Sequence, residues 1–446
     1  MKKSFAFGIP LAVFLVLAAG VFYWQSGRGL FAPSGAPPQN ERAERAQENT
    51  TGLPLRLPPG FSIEIFAKNL PGARVMAFDP LGELWVSRTG ENAVTLLTLN
   101  RDGSIISQGD VLKNLKRPHG LALDIVLGKE RTDAGWTDVG GDKSQNLKAI
   151  MLYIAEENKI SRVSLAPEIG KPEKIADLPA GGGHFTRTIG FGPDGRLYVS
   201  IGSTCNVCNE SDTRRAKIFS MKKDGSDFKE FARGLRNAVF FTWEEGNDST
   251  GASAVSSVPN GSPPRMWATE MGRDNLGDDL PPDEINMIEG PSTSSGQNSV
   301  PNFGWPTCYG KNIHDTEFDK NTYIRNPCME PFETPSAIDI PAHSAPLGLT
   351  FIPRAESRGA WPEEYWGDLL VAYHGSWNRS EPTGYKVVRM KLDDNGRYLG
   401  TEDFITGWLT QSGEVLGRPV DLTFDDDGAL YVSDDKAGVI YKVEYR

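Results

Sequence analysis

The sequence predicts an all-β protein, a six-bladed β-propeller, and two observations carry this prediction. The first is a ten-residue pattern in which a strand end, a turn with glycine and a second strand follow one another. Its clearest copies are FDPLGELWVS at 78–87, FGPDGRLYVS at 191–200 and FDDDGALYVS at 424–433. The second is composition, since 48 glycines and 31 prolines are spread along 446 residues. Many short strands joined by tight turns are expected to have this composition.

Weaker copies of the second strand in this pattern bring the number of repeats to six. They are LYIA at 152–155, MWAT at 266–269 and LLVA at 369–372. A repeat of roughly 40 to 100 residues that forms one small antiparallel sheet is typical of a propeller blade. We expect the last strand, 438–445, to complete a sheet with an N-terminal strand near 61–66, because this pairing removes an exposed sheet edge.

The chain divides into an apolar N-terminal segment at 1–24, a polar linker at 25–52 and the propeller at 53–446. Lys2 and Lys3 precede the apolar run, which is about long enough to cross a bilayer as a helix. The positive-inside rule keeps these lysines in the cytoplasm and exports the remainder of the chain. The alternative is a cleaved signal peptide, whose apolar region is shorter. Both interpretations export the propeller.

The charge pattern argues against a nucleic-acid partner. The formal net charge is -11 at pH 7, and the lysines and arginines form no basic stripe. Proteins that bind nucleic acid neutralise phosphates with clustered Lys and Arg side chains. We therefore expect no nucleic-acid partner.

The four cysteines agree with export. They are Cys205, Cys208, Cys308 and Cys328. An even number of cysteines in an oxidising compartment favours disulfides. The alternatives are a four-cysteine zinc site and a redox pair, but the second pair lacks C-x-x-C spacing. We expect the local pairings, Cys205 with Cys208 and Cys308 with Cys328.

Histidines and arginines recur in loops beside predicted core strands. The histidines are His119, His184, His343 and His374, and the arginines are Arg236, Arg379 and Arg418. Propellers gather the loops of one face around the axis, so equivalent positions in several blades meet. Histidines alone could bind zinc or iron, but guanidinium groups repel a metal and suit an anionic ligand. Taken singly, each side chain fits a structural hydrogen bond or salt bridge equally well.

A set of ordered motifs over about residues 55–446 resembles the glucose/sorbosone dehydrogenase family. The motifs are Gly183-His184, FGPDGRLYVS at 191–200, GLRN at 234–237, DEIN at 283–286, NFGWP at 302–306 and GRPVD at 417–421. YHGSWNR at 373–379 and CNVC at 205–208 are most similar to the L-sorbosone dehydrogenase-like branch. The resemblance implies a six-bladed propeller in the bacterial periplasm that oxidises sugars or sugar aldehydes with pyrroloquinoline quinone and Ca²⁺.

The resemblance also implies roles for individual residues. His184 matches the catalytic base, which takes the hydroxyl proton while hydride passes to the quinone. Arg236 and Asn237 match the pair that contacts the quinone, and Arg236 is expected to stabilise the developing negative charge. Arg418 matches the arginine that holds a carboxylate of the cofactor.

Further positions complete the expected cofactor site. The family's cofactor-binding lysine has no clean counterpart, so Arg379 is the first candidate and Lys386 the second. The recurring loop histidines His119 and His374 are added as cofactor-binding residues.

The resemblance places two calcium ions as well. Gly272 and Arg273 match positions whose backbone carbonyls hold the ion that touches the quinone. Asp283 and Glu284 match a second, structural ion, and the alternative for both is an ordinary turn before a strand.

Three departures from the soluble glucose dehydrogenases put glucose itself in doubt as substrate. Val420 stands where a second arginine is expected, and Pro118 replaces a glutamine. Ser203 aligns with the acid that orients the catalytic histidine.

Two other functions stay open at the level of sequence. The first is a calcium-dependent lactonase, for which Glu270, Asp283 and Asp435 could supply carboxylates. The second is a non-catalytic binding propeller on a tether. For the dehydrogenase, the N-terminal helix would bring the domain close to a membrane quinone or cytochrome as electron acceptor.

Overall fold

The computed structural model describes residues 49–446 with internal gaps. The gaps are 128, 133–134, 139–146, 166–167, 245–264, 291–299, 331–332 and 355–360. The predicted membrane or signal segment, 1–24, and most of the linker lie outside the described residues, so both stay predictions. Within the described part, no helix has the length and apolar character that crossing a bilayer demands.

Six four-stranded antiparallel sheets form the blades, which confirms the predicted all-β propeller. After β1 (Phe61–Ala67), blade 1 contains β2 (Ala73–Phe78), β3 (Leu84–Arg88), β4 (Ala93–Leu99) and β5 (Ile105–Leu112). Blade 2 contains β6 (Gly120–Leu127), β9 (Leu147–Glu156), β10 (Lys159–Ser164) and β11 (Glu173–Asp177), with a small inserted hairpin of β7 (Lys129–Thr132) and β8 (Gly135–Asp138). Blade 3 contains β12 (Ile189–Phe191), β13 (Leu197–Ile201), β14 (Lys217–Met221) and β15 (Lys229–Arg233).

The second half of the ring repeats this order. Blade 4 contains β16 (Phe241–Trp243), β17 (Met266–Glu270), β18 (Asp283–Ile288) and β21 (Ile338–Ile340), with an inserted hairpin of β19 (Cys308–Tyr309) and β20 (Ile313–His314). Blade 5 contains β22 (Pro346–Phe351), β23 (Leu369–Tyr373), β24 (Lys386–Leu392) and β25 (Tyr398–Ile405). Blade 6 contains β26 (Pro419–Phe424), β27 (Leu430–Asp434) and β28 (Val439–Tyr445), together with β1. The short 3-10 helices Thr89–Glu91 and Glu363–Tyr365 lie in connections.

The second strand of each blade is the element that the sequence repeat predicts. In β13, β17, β23 and β27 every residue is buried, because the blades on either side cover both faces of the strand. The tight turns before β3, β13 and β27 contain Gly82, Gly195 and Gly428, whose φ angles are 80°, 72° and 88°. This left-handed backbone conformation explains why the repeat has glycine at that position.

The ring closes through blade 6, where the two ends of the propeller pair. Strand β1 runs antiparallel to β28, with Phe61 opposite Tyr445 and Ile63 opposite Val443. This confirms the predicted pairing of the last strand with an N-terminal one. Phe61 is only 1% exposed and contacts the rings of Trp361 and Phe404, at centroid distances of 4.7 and 5.0 Å.

Strand direction determines where the candidate residues meet. The connection that enters the first strand of a blade and the connection that leaves its second strand lie at the same end of an antiparallel sheet. We call this end of the propeller the site face. The candidates in these connections are His119, His184, Arg236, Asn237, Gly272, Arg273, His343, His374, Arg379 and Arg418. The topology therefore gathers them, as the sequence predicts.

Candidate functional site

His184 lies in the loop between β11 and β12, and its ring is fixed by Ser203. The Nδ1 atom of His184 is 3.0 Å from the carbonyl oxygen of Ser203 and 2.9 Å from its hydroxyl oxygen. A carbonyl oxygen can only accept a hydrogen bond, so Nδ1 carries the proton and Nε2 keeps its lone pair. The Ser203 hydroxyl in turn donates to the carbonyl of Cys205 at 2.7 Å. Ser203 thus selects the tautomer in which Nε2 can accept a proton.

The surroundings of His184 keep the imidazole neutral. Burial, and then the positive charge of Arg236, lower the pKa of His184 to about 3. The charges of Arg187 and Arg215 contribute to this lowering, and the hydrogen bond to the Ser203 carbonyl opposes it. Ser203 is uncharged and does not offset these cations as an acid at that position would. At neutral pH the side chain is therefore an unprotonated acceptor.

Arg236 is a buried guanidinium, 5% exposed, in the connection between β15 and β16. Its Nε atom donates to the carbonyl oxygen of Asn206 at 2.8 Å, and one terminal nitrogen donates to Asn206 Oδ1 at 2.9 Å. The same nitrogen forms a salt bridge with Asp274 at 3.1 Å. The other terminal nitrogen donates to the carbonyl oxygen of Met271 at 3.2 Å. The positive charge is thus held rigidly near His184.

Gly202 allows His184 and Asn237 to approach each other. A Cβ atom at position 202 would lie 2.6 Å from Asn237 Oδ1 and 2.8 Å from His184 Cβ, closer than real side chains come. The backbone nitrogen of Asn237 donates to Glu270 Oε1 at 2.9 Å. The predicted trio of His184, Arg236 and Asn237 therefore forms one group.

Two buried arginines that the sequence did not indicate support the His184 loop. Arg187 donates to the carbonyl oxygens of His184 at 2.9 Å and Pro179 at 2.8 Å. Arg215 donates to the carbonyl oxygen of Gly181 at 2.7 Å. Arginine is usually exposed, so nothing in the sequence marks these two as internal.

Arg418 and His374 form a second group on the site face. Arg418 donates to His374 Nδ1 at 3.3 Å, and the opposite ring nitrogen, Nε2, lies 3.0 Å from Asp435 Oδ1. Arg74 forms a salt bridge with the other oxygen of Asp435 at 2.7 Å. The guanidinium of Arg418 pairs with no carboxylate in the described part of the chain; besides His374 its partners are carbonyls and the Tyr385 hydroxyl, while the backbone nitrogen of Arg418 donates to Asp434 Oδ1 at 2.9 Å. It is free to bind an anionic ligand.

Three other predicted cofactor residues have different surroundings. His119 is fully buried, and its Nδ1 lies 3.3 Å from the Thr188 hydroxyl, while its Nε2 has no partner among the described residues. Arg379 is bound to the β17–β18 connection, with a salt bridge to Asp279 at 2.9 Å. Lys386 pairs with Asp403 on β25, the outermost strand of blade 5. The structure does not bring Lys386 into the group around His184 or the group around Arg418.

Paired carboxylates in blade 4 surround a small cavity. Glu270 at the end of β17 is opposite Glu284 in β18, and both are 5% exposed. Together with Gly272 and Arg273 they line a cavity of about 20 Å³, which has room for one water molecule or ion. The Oε2 atom of Glu270 has no hydrogen-bond partner among the described residues. Two buried carboxylates without a cation between them are unfavourable, so this arrangement fits a bound cation.

The acidities of these carboxyl groups agree with a cation site. Burial, and then the charge of Glu284, raise the pKa of Glu270 well above its usual value. Burial raises the pKa of Glu284 to about 7. Carboxylate and carbonyl oxygens are the ligands that calcium prefers. The fit to Ca²⁺ therefore rests on Glu270, Glu284 and the neighbouring backbone.

Asp283 takes a different role from the one that the resemblance implies. Its two oxygens accept from the backbone nitrogens of Gly272 and Ala345, each at 2.8 Å. Neighbouring residues of a strand point to opposite faces, so Asp283 and Glu284 do not face the same space. Asp283 joins the loops of blades 4 and 5, and Glu270 accompanies Glu284 at the cavity. The sequence could not show this, because the register of β17 against β18 decides it.

The described cysteines form the two predicted disulfides, Cys205–Cys208 and Cys308–Cys328. The first closes a loop on the site face between β13 and β14. The second spans the hairpin of β19 and β20 in blade 4. With all four cysteines in disulfides, no thiolate is left for the four-cysteine zinc site.

Several known proteins are similar to this chain. A family model described as TrAA12-like matches residues 55–446. A protein of Borreliella burgdorferi, named only "Uncharacterized protein", is 30% identical over 397 residues, which are 88% of this chain and 91% of that protein. The pyrroloquinoline quinone-dependent pyranose dehydrogenase of Coprinopsis cinerea is 26% identical over 310 residues. That match spans 58% of this chain and 39% of the Coprinopsis protein.

Solved structures share the fold. The holo form of the pyranose dehydrogenase PQQ domain from Coprinopsis cinerea has a TM-score of 0.63 at 19% identity, over 88% of this chain and 97% of that one. The calcium structure of a Trichoderma reesei family AA12 enzyme has a TM-score of 0.66 at 19% identity, over 89% and 100%. The PQQ-bound aldose sugar dehydrogenase from Streptomyces coelicolor has a TM-score of 0.54 at 17% identity, over 87% and 99%.

The Coprinopsis cinerea and Streptomyces coelicolor proteins are named as pyranose and aldose sugar dehydrogenases that use or bind pyrroloquinoline quinone, which agrees with the broader family resemblance of the sequence. They do not single out the sorbosone dehydrogenase-like branch, which stays a prediction. The family model spans the propeller from before β1 to its last residue. The chain therefore belongs to the TrAA12-like family.

Proposed function

We propose that the chain is a dehydrogenase that oxidises sugars or sugar aldehydes with pyrroloquinoline quinone, and that His184 is its base. One observation carries the proposal: Ser203 fixes the ring of His184 so that Nε2 accepts, beside the buried guanidinium of Arg236. The pyranose and aldose sugar dehydrogenase activities named for the relatives point in the same direction.

The residues present fit the cofactor. Pyrroloquinoline quinone carries carboxylates, and Arg418 offers a guanidinium that no carboxylate of the described chain occupies. Arg236 and Asn237 would contact the cofactor beside His184, and His374 would contact it beside Arg418. When bound, the quinone supplies the two-electron redox chemistry that side chains lack.

Residues of the chain would accept the proton of the substrate and stabilise the negative charge that develops. Nε2 of His184 takes the hydroxyl proton of the sugar, which is general-base catalysis. Arg236 places a fixed positive charge where negative charge develops during the reaction. Burial and the cations around His184 disfavour its protonated form. Because the side chain of His184 is only half-buried, the proton that it accepts can pass on to solvent.

Ca²⁺ is proposed at the cavity of Glu270 and Glu284, with Gly272 and Arg273 contributing backbone oxygens. The two buried carboxylates and the unpartnered Oε2 of Glu270 support it. A divalent cation there would neutralise the carboxylates and, as a Lewis acid, polarise an oxygen bound to it.

Export is part of the proposal. The apolar segment 1–24 would hold the propeller at the outer face of the bacterial cytoplasmic membrane, in the periplasm, or be cleaved after export. The two disulfides support an oxidising compartment. Held there, the domain would pass electrons to a membrane quinone or a cytochrome.

The test uses the purified full chain with pyrroloquinoline quinone and Ca²⁺. Dye reduction is assayed with a panel of aldoses and sugar aldehydes, and retained quinone is followed by its absorbance. We expect reduction with at least one sugar and quinone that stays bound after desalting. A protein that neither retains quinone nor reduces dye with any substrate would refute the proposal.

Of the three carboxylates that suggested the lactonase alternative, two are occupied by contacts within the chain. Asp283 accepts from two backbone nitrogens, and Asp435 is paired with Arg74 and His374. Only Glu270 of the three retains a buried oxygen without a partner in the described chain. A panel of lactones assayed in parallel tests hydrolysis directly.

A further inference from the structure

We propose that the loop at 203–208, which contains the Cys205–Cys208 disulfide, positions both His184 and Arg236, with Ser203 as the residue that contacts His184 and Asn206 as the residue that orients Arg236. The expected effect on catalysis rests on the proposed function, whereas the orientation of Arg236 rests only on contacts within the chain. Asn206 and Ser203 act through other residues and are therefore positioning residues.

The contact between Asn206 and Arg236 is bidentate. The guanidinium donates from Nε to the Asn206 carbonyl oxygen at 2.8 Å and from a terminal nitrogen to Oδ1 at 2.9 Å. Two parallel hydrogen bonds fix both the position and the plane of the guanidinium. Backbone and side chain of a single residue thus determine the direction of Arg236.

Asn206 is itself held by the neighbouring blade. Its Nδ2 donates to the carbonyl oxygen of Asp274 at 3.0 Å, and the Asp274 backbone nitrogen donates to Oδ1 of Asn206 at 2.7 Å. The carboxylate of Asp274 bonds Arg236 and also accepts from Asn378 Nδ2 at 2.8 Å. Loops from blades 3, 4 and 5 are therefore linked through Asn206, Asp274 and Asn378.

The same loop holds His184 at its other end. Ser203 contacts the ring of His184, and the Ser203 hydroxyl donates to the carbonyl oxygen of Cys205. Residues 203–206 therefore touch both functional side chains. The disulfide restricts the loop, so the geometry is set before a ligand arrives.

The arrangement leaves one donor of Arg236 for a ligand. A guanidinium has five N–H groups, and four hydrogen bonds of Arg236 are found, two to Asn206 and one each to Met271 and Asp274. The remaining N–H, on the nitrogen that bonds Met271, has no acceptor among the described residues. Without the side chain of Asn206, the guanidinium loses one of the two hydrogen bonds that fix its plane. It can then rotate, and the remaining N–H no longer points in a fixed direction.

The test compares Asn206→Ala with Asn209→Ala in the full chain. Asn209 is the same residue type one position after the ring; it is exposed, and its side chain has no hydrogen bond to the described residues. Exchange of the Arg236 Nε proton is measured by NMR without cofactor, together with quinone affinity, kcat and KM. For Asn206→Ala we expect exchange at least about tenfold faster and a kcat lower by about 10- to 100-fold, with the melting temperature nearly unchanged. Asn209→Ala should match the wild type.

A double-mutant cycle distinguishes positioning from general destabilisation. In an Arg236→Lys background, Asn206→Ala should change quinone affinity by less than about twofold, because the side chain through which it acts is gone. If Asn206→Ala proves unfolded, Asn206→Asp replaces it. That variant keeps an acceptor for Arg236 but loses the donor to Asp274, and it should show intermediate exchange.

The inference is overturned if the Asn206 variant keeps wild-type Arg236 exchange and wild-type quinone affinity, or if its effect is unchanged in the Arg236→Lys background. A wild-type protein that does not bind quinone would refute the proposed function instead. In that case the exchange measurement still decides whether Asn206 orients Arg236.

Discussion

At the scale of single residues, the site depends on which nitrogen of His184 is protonated. The carbonyl of Ser203 settles this, because it can accept only from a protonated Nδ1. An acid in the place of Ser203 would both orient the ring and stabilise its charged form. With serine there, orientation is kept, but the hydrogen bond to the Ser203 carbonyl offsets only part of the fall in the pKa of His184 that burial, and then the charge of Arg236, cause.

His184→Ala tests this assignment. The variant lacks the proton acceptor, so turnover should fall by about 10²- to 10⁴-fold. Quinone affinity should stay close to the wild-type value, because Arg236 and Arg418 are untouched. His314→Ala is the control, since His314 pairs with Asp319 in the loop after β20 and belongs to neither group on the site face. Loss of quinone binding in His184→Ala, or turnover that survives it, would contradict the assignment.

Glu270→Gln tests the cation cavity. The amide removes a charge and leaves one carboxylate, Glu284, to hold the ion. We expect the increase in melting temperature on adding Ca²⁺ to shrink or vanish in this variant. Glu333→Gln is the matched control, because burial also raises the pKa of Glu333, to about 7, but this side chain does not line the cavity. Equal calcium responses in the two variants would place the ion elsewhere.

The pH dependence of calcium binding follows from the same pKa values. Calcium requires ionised carboxylates, and the pKa of Glu284 is raised to about 7. The stabilisation by Ca²⁺ should therefore grow as the pH increases through that value. Without calcium, Glu270 and Glu284 should lower stability as the pH rises above 4.5, because the folded state still holds protons that the unfolded chain has released. For Glu284 this loss should level off above pH about 7. Calorimetry with and without Ca²⁺ measures both; a calcium effect independent of pH would exclude Glu284 as a ligand.

At the scale of the element, the repeated short apolar run of the second strands is the strongest signal in the sequence. All six predicted copies are second strands of blades, because burial between two neighbouring blades makes these strands apolar on both faces. Partner choice is harder to predict. Asn206 meets Asp274 across two blades, and the pairing of Glu270 with Glu284 depends on strand register. Lys386 is a further example of a partner that the sequence does not predict, because only the structure shows that it pairs with Asp403.

Phe61→Ala tests the closure of blade 6. The ring of Phe61 lies among Trp361, Tyr365, Phe404 and Tyr445, with centroid distances from 4.7 to 5.3 Å. Removing it leaves a cavity and should lower the free energy of unfolding by about 3–5 kcal/mol, measured by denaturant titration.

Ile106→Ala in β5 is the control for Phe61→Ala. Ile106 is also a strand residue but is 59% exposed, so its loss should change stability by less than about 0.5 kcal/mol. A similar small effect for Phe61→Ala would show that the β1–β28 pairing contributes little.

At the scale of the whole molecule, the ring brings loops distant in sequence to one face. His184 and Arg418 are more than 200 residues apart in the chain. Each lies in a loop that leads into the first strand of a blade, and both loops are on the site face. The sequence predicts this convergence, because it follows from the repeat alone. The contacts inside each group do not follow from the repeat, because they depend on loop conformations.

The proposed membrane location is tested with the full chain in bacterial cells. If residues 1–24 stay attached, the protein should sediment with membranes and be released by detergent but not by salt. Replacing this segment with a cleavable signal should yield soluble periplasmic protein. A full chain found in the soluble periplasmic fraction would show that the segment is cleaved, and one found in the cytoplasm would refute export.

The pairing of β1 with β28 also has a consequence for biosynthesis. A chain is synthesised from its N-terminus, so β1 has no partner in blade 6 until β28 has been made. The backbone nitrogen of Arg446 donates to the carbonyl of Gly60 at 2.8 Å, so the contact between the two segments continues beyond β28. A translation product that stops before codon 439 lacks the partner of β1 and presents an open sheet edge to other chains and to proteases. Closure of the ring thus distinguishes a chain that contains β28 from a truncated one.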